Sequence, residues 1–141
     1  MSVVAGCVAA ILAASAHATP AEGEVVRTDL AAGSTETPIS IVTSGAPSTL
    51  TVQNLVLKPG SSSGWHTHPG PEYSVISRGT VLVQTVSDCV SGDVAAGRVV
   101  FIPGGVAHRV ANVSDHDAEA VVTYTLPVGL PVRDDAAAAC G

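Results

Sequence analysis

Short runs of apolar and β-branched residues, separated by turn-forming residues, make up most of the chain from residue 38 onward. Beyond residue 20, no apolar run keeps the period of an amphipathic helix over a useful length. About eight such runs predict an all-β fold of the sandwich or barrel type, with a loop at residues 88–96. The predicted strands are residues 39–42, 48–57, 65–68, 72–77, 80–86, 98–102, 107–113 and 120–126.

The same pattern divides the chain into four segments. Its 141 residues leave room for one folded domain, which we place at residues 38–130 as a single β-barrel. Residues 1–18 are interpreted as a signal peptide, and residues 19–37, rich in Ala, Gly, Thr and Glu, as a flexible lead-in. Residues 131–141 are expected to form a loose C-terminal tail.

The signal-peptide interpretation depends on an apolar run at residues 3–14 followed by Ala16-His17-Ala18, a small-x-small cleavage pattern. The run is too short for a transmembrane helix, so the mature protein is expected to be secreted or extracytoplasmic without a membrane span. No Lys or Arg precedes the run. The alternative is an apolar extension that stays attached.

Charge and cysteine content narrow the choice of partners and compartment. Twelve carboxylates stand against six Lys and Arg residues, which are scattered, so a nucleic-acid or anionic-membrane partner is not expected. Cleavage of the signal peptide would remove Cys7 and leave Cys89 and Cys140, enough for one disulfide in an oxidising compartment. Such a bridge would contribute roughly 3 to 4 kcal/mol. Free thiols are the alternative.

A cluster of metal-ligating residue types lies in the middle of the chain. His66 and His68 are two residues apart, so on a strand both imidazoles project from one face. The Pro-Gly-Pro segment that follows cannot continue a central strand and can return Glu72 toward the same space. A third imidazole must come from elsewhere: His116 lies in what reads as an exposed turn, whereas His108 begins a predicted strand.

Two longer motifs contain these residues, and together they resemble the signature motifs of the cupin superfamily without a substitution. The resemblance implies a jelly-roll-like barrel in which His66, His68, Glu72 and His108 are the metal ligands. It also implies a structural or supporting position for Asn112 and a homodimer formed through sheet edges. The motif positions are Gly60, His66, His68, Glu72 and Gly79, then Gly97, Pro103, Gly105, His108 and Asn112.

Three neutral imidazoles and one carboxylate are suited to one divalent metal ion with positions left for exchangeable ligands. Iron(II) or manganese(II) fits this donor set best, with nickel, copper and zinc left open. The leading hypothesis is a small-molecule dioxygenase or oxidase in which Glu72 doubles as the catalytic proton carrier. The alternative is a non-catalytic extracytoplasmic cupin that binds metal or a small ligand. A sugar isomerase is less favoured because the chain has no basic cluster for a phosphate.

Overall fold

The computed structural model describes residues 26, 28–43, 45 and 47–140. The interpreted signal peptide therefore lies outside the described residues, as does part of the lead-in. The described part of the chain contains nine strands and no helix. The strands are β1 (Ser48–Leu57), β2 (His66–Thr67), β3 (Glu72–Arg78), β4 (Thr80–Thr85), β5 (Asp88–Ala95), β6 (Val99–Ile102), β7 (His108–Ala111), β8 (Ala118–Pro127) and β9 (Asp134–Asp135).

The strands form two sheets with antiparallel pairing. One has four strands in the order β1-β8-β3-β6, and the other has five in the order β5-β4-β7-β2-β9. Their hydrogen-bond ladders do not join into one closed barrel, but the arrangement is jelly-roll-like, and the predicted all-β class is confirmed. Within the described residues nothing helical is long and apolar enough to cross a membrane.

Strand β8 shows how the apolar pattern builds the core. Its residues alternate between buried and half-buried positions along all ten positions, as expected for a strand with one face turned inward. The buried set of even-numbered residues runs from Ala118 to Leu126 and packs on β3 and on Val81 of β4 in the opposite sheet. The core cluster consists of Leu57, Ile76, Val81, Val100, Ile102, Ala118, Ala120, Val122, Tyr124 and Leu126.

Two of the sequence-based predictions of secondary structure are wrong. The segment 88–96, predicted to be a loop, contains β5, which pairs with β4 from Thr80 to Thr85. The local propensity of this segment for strand formation is weak, and pairing with the neighbouring strand stabilises the strand. The predicted strand at 39–42 does not form: Ile41 and Val42 are exposed, and no strand pairs with them among the described residues.

The predicted disulfide between Cys89 and Cys140 is present, with a Cα–Cα distance of 5.6 Å. It connects the end of the described chain to β5 across 51 residues. The C-terminal tail, expected to be loose, contributes strand β9 to the larger sheet. Residues Asp134 and Asp135 pair with Thr67 and His66 of β2.

Asn112 supports the end of β7, as the resemblance implied. Its side chain is buried and donates hydrogen bonds to the carbonyls of Leu57 and His116 at 2.8 and 2.6 Å. Its own oxygen accepts from the backbone N–H and hydroxyl of Ser114. With both ends of the amide engaged, Asn112 connects the loop after β7 to the end of β1.

The Pro-Gly-Pro turn that follows His68 packs tightly against the four-stranded sheet. A Cβ atom at Gly70 would overlap the backbone carbonyl of Thr125, which has little freedom to move. A Cβ at Gly104, in the turn of the second motif, would lie 3.0 Å from the Cα of Gly70. The two turns therefore approach each other at a distance that only glycine permits.

We expect Gly70→Ala to lower the free energy of unfolding by about 1 to 3 kcal/mol, since a backbone must shift to admit the methyl group. Gly92→Ala is a matched control because a Cβ there meets no atom within 4 Å and φ is not positive. That control should change the free energy by less than about 0.5 kcal/mol. Urea denaturation of the three proteins provides the measurement, and equal midpoints for both variants would contradict the steric account.

Candidate metal centre

The four predicted ligands converge at the junction of the two sheets. His66 on β2 and His108 on β7 are directly paired in the ladder, and their ring centroids lie 4.3 Å apart. His68 follows β2 on the same face as His66, and Glu72 begins β3 in the opposite sheet. One donor atom from each of the four residues lies within 4.8 Å of the others. Ligands on opposite sides of an ion would be about 4.2 Å apart, so this cluster is close to the size of a metal site.

Each imidazole is oriented by a backbone carbonyl. The Nδ1 atoms of His66 and His108 lie 2.9 and 3.0 Å from the carbonyls two residues before them, Gly64 and Val106. The Nδ1 atom of His68 lies 2.5 Å from the carbonyl of Val132. Since a carbonyl oxygen only accepts, each hydrogen bond places the proton on Nδ1 and leaves a lone pair on Nε2 of the neutral ring. This is the usual outer hydrogen bond of a metal-ligating histidine.

On the inner side of the cluster, imidazole nitrogens face a carboxylate oxygen. The Nε2 atoms of His68 and His108 lie 2.9 and 3.2 Å from Oε2 of Glu72. The His68 contact does not have hydrogen-bond geometry, so its Nε2 is buried without a hydrogen-bond partner. A cation between these donors would satisfy all of the contacts at once. The donor set therefore fits a metal ion.

A family model for the cupin domain matches residues 54–124, 71 of the 141 residues, and this range includes all four clustered side chains. The chain belongs to the cupin family. No curated protein matches the sequence.

Solved structures resemble this cupin over part of its length. A cupin-like protein from Thermotoga maritima matches with a TM-score of 0.54 at 24% identity, over 63% of this chain and 65% of that one. A protein from Thermus thermophilus matches with a TM-score of 0.50 at 28% identity, over 55% and 72% of the two chains. A DMSP lyase from Ruegeria pomeroyi matches with a TM-score of 0.52 at 21% identity, over 58% and 41%. This cupin spans less than two-thirds of the first and third of these, and the likenesses to those two show the fold alone.

Burial and hydrogen bonds shift the pKa of two residues in the cluster of this cupin, His66 and Glu72. Burial is the largest cause that lowers the pKa of His66 from 6.5 to about 4, so the ring is neutral near pH 7. Burial would raise the pKa of Glu72, but the contacts with His108 and His68 outweigh it, with help from Ser74. The net effect lowers the pKa of Glu72 below its ordinary value of 4.5. A neutral His66 beside an ionised Glu72 is the expected result.

Tyr124 is a part of the site that sequence reasoning did not identify. It lies opposite Glu72 in the β3–β8 ladder, and its ring centroid is 4.7 Å from that of His68. Burial and the negative charge of Glu72 raise the pKa of Tyr124 to about 12, so the phenol keeps its proton. The sequence indicated only that alternate residues of the predicted strand 120–126 face inward. Which alternate set does so depends on the pairing of β8 with β3.

The interior next to the carboxylate is nearly filled. A cavity of about 20 Å³ lies between the sheets beside Glu72 and Ser74, and the rest of its lining is apolar. That volume is room for about one water molecule. The space therefore admits a water-sized molecule next to the carboxylate but excludes an organic substrate.

The pKa of His66 leads to a prediction for the metal-free protein. Between about pH 6.5 and pH 4 the unfolded chain binds the proton of this residue more tightly than the folded chain does, so stability falls as the pH falls through that window. Glu72, with its lowered pKa, contributes stability above pH 4.5 that is lost at still lower pH. His66→Asn should flatten the first part of this decline in urea denaturation. An undiminished decline between pH 6.5 and pH 4 in the variant would show that His66 is not its source.

Proposed function

We propose that this cupin holds one divalent metal ion through His66, His68, Glu72 and His108. The observation that carries the proposal is the buried Nε2 of His68, which faces the carboxylate of Glu72 at 2.9 Å without a hydrogen-bond partner. Buried polar atoms without partners are costly and rare in native proteins. A cation between these donors removes that cost.

Iron(II) or manganese(II) suits three nitrogen donors and one oxygen donor, and nickel, copper and zinc are alternatives. An ion in this place would supply a Lewis acid and, for iron or manganese, a redox centre. The residues of the chain supply the rest: three imidazoles fixed by carbonyls, and a carboxylate fixed by the hydroxyl of Ser74 at 2.8 Å from Oε1.

The favoured reaction class is oxidation of a small molecule, in the manner of a dioxygenase or oxidase. The small cavity beside Glu72 and Ser74 supports this choice, because it admits a molecule of the size of water or dioxygen at the carboxylate. The protonated phenol of Tyr124, packed on His68, is available as a hydrogen-bond donor near the centre. The cavity thus offers two polar side chains, Glu72 and Ser74, in an otherwise apolar lining.

Glu72 is also proposed as the catalytic proton carrier, in addition to its role as a ligand. A general base works best when its pKa lies near the working pH. The contacts with His108 and His68 lower the pKa of Glu72, which favours the ligand role. Proton transfer by this carboxylate would require it to leave those contacts.

A second candidate is a non-catalytic cupin that binds metal outside the cytoplasm. The observation in its favour is burial: the four ligand residues are at most 5% exposed, and the adjoining cavity excludes an organic substrate. A centre closed in this way is suited to holding an ion. Metal binding is common to both candidates, and turnover separates them.

The proposed setting is extracytoplasmic, supported by the disulfide between Cys89 and Cys140, since such bonds persist mainly in oxidising compartments. A homodimer is also proposed. Strand β1 lies at the edge of its sheet and exposes Leu50, Val52 and Val56, which a second copy would cover.

We expect the purified protein to contain about one equivalent of metal, and the double variant His66→Ala/His108→Ala to contain almost none. Both imidazoles are buried at the cluster, so their loss removes half of the donors. His116→Ala is the matched control, because His116 has a side chain that is 77% exposed and lies outside the cluster. Elemental analysis after loading with iron(II) or manganese(II) provides the measurement. Equal, low metal content in all three proteins would refute the ligand assignment.

If the protein is an oxidoreductase, the metal-loaded form should consume dioxygen in the presence of small oxygen-bearing substrates. Glu72→Gln should lower that rate at least tenfold, since it removes the charged ligand. An oxygen electrode measures the uptake, and Asp115→Asn, a change at an exposed carboxylate, is the control. Stoichiometric metal with no uptake across the substrate panel would instead favour the binding protein.

A further inference from the structure

The C-terminal segment 132–140, here called the strap, lies along β2, which carries His66 and directly precedes His68. Strand β9 of the strap pairs with His66 and Thr67 of β2. The N–H of Ala136 donates to the carbonyl of Trp65 at 2.9 Å, and the Arg133 guanidinium donates to the carbonyl of Ser63 at 3.1 Å. The strap thus contacts the chain on the N-terminal side of β2 as well as β2 itself.

Besides pairing with the backbone of His66, the strap holds one imidazole of the metal cluster, that of His68. The carbonyl that accepts from Nδ1 of His68 belongs to Val132, 64 residues away in sequence. The corresponding carbonyls for His66 and His108 are two residues away on their own chain segments. The orientation of His68 therefore depends on a distant part of the chain, whereas that of the other two imidazoles is local.

Little besides hydrogen bonds and the disulfide holds the strap in place. Val132 is half-buried and packs on the core, but most of the strap is exposed to solvent. Short exposed pairings such as β9 open easily on their own. The bond between Cys140 and Cys89 anchors the far end of the strap to β5, on the opposite edge of the sheet from β9. This covalent anchor raises the effective concentration of the strap at β2.

We propose that the disulfide-anchored strap is a positioning element of the metal centre: it fixes the Nδ1-protonated form of His68 through the Val132 carbonyl and so directs Nε2 toward the ion. The proposal rests on the proposed metal-binding function. Its consequence is that metal affinity depends on a disulfide far from the ligands in sequence. Supporting hydrogen bonds of this kind are typically worth 10- to 100-fold in metal affinity.

Two variants separate the strap from its anchor. Cys89→Ser/Cys140→Ser keeps the strap and removes the bond, and a deletion of residues 132–141 removes the strap with its carbonyl. Long-range ¹H–¹⁵N NMR of the metal-free proteins at neutral pH reads the protonated nitrogen of each imidazole. We expect His68 to lose its Nδ1-protonated signature in the deletion and partly in the serine variant, while His108 keeps its own as the internal control.

Calorimetric titration with Mn²⁺ alone gives the second reading. The deletion should lower the affinity for Mn²⁺ 10- to 100-fold. The affinity of the serine variant should lie between those of the deletion and of the unaltered protein. Emission from Trp65, the only tryptophan, reports whether the strap has left β2.

An unchanged His68 signature in both variants would overturn the proposal, as would an unchanged Mn²⁺ affinity in a variant whose Trp65 emission shows the strap released. A serine variant that matches the unaltered protein in both readings would overturn the role of the disulfide. If the unaltered protein binds no Mn²⁺ or other divalent ion, the proposed function fails, and the imidazole spectra still decide whether the strap positions His68.

Discussion

Three imidazoles and one carboxylate are buried where the two sheets of this cupin meet, and their polar atoms must all be satisfied there. Removing such groups from water is costly unless each finds a partner. On the outer side the partners are backbone carbonyls, which hold the Nδ1 atoms of His66, His68 and His108. On the inner side the Nε2 atoms of His68 and His108 face Glu72, and a cation would complete the arrangement. The turns and strand pairings around the cluster hold these atoms in place.

Much of this arrangement follows from short-range rules that can be applied to the sequence. The two-residue spacing of His66 and His68 places both on one face of a strand, and the Pro-Gly-Pro turn brings Glu72 back to them. Strand β1 has the predicted bounds because its ten residues are rich in β-formers and flanked by Pro and Gly. The disulfide was predictable because two cysteines remain after the expected cleavage.

What the sequence did not disclose depends on long-range pairing. Strand β5 has a weak local strand propensity and forms because it pairs with β4. Strand β9 likewise forms because it pairs with β2. Tyr124 enters the site only once β8 is paired with β3, since a shift of one residue would turn it outward. The hydrogen bond from His68 to Val132 links residues 64 positions apart, and no local pattern indicates it.

The contact between the Gly70 and Gly104 turns has an evolutionary consequence. Each glycine lies in a different motif. A side chain on Gly104 would press against the backbone of Gly70, whereas one on Gly70 would overlap the carbonyl of Thr125. A side chain at either position would therefore need a movement of backbone in another segment of the chain, the first motif for Gly104 and strand β8 for Gly70. Substitutions at these two positions should consequently be tolerated only together with changes in those segments.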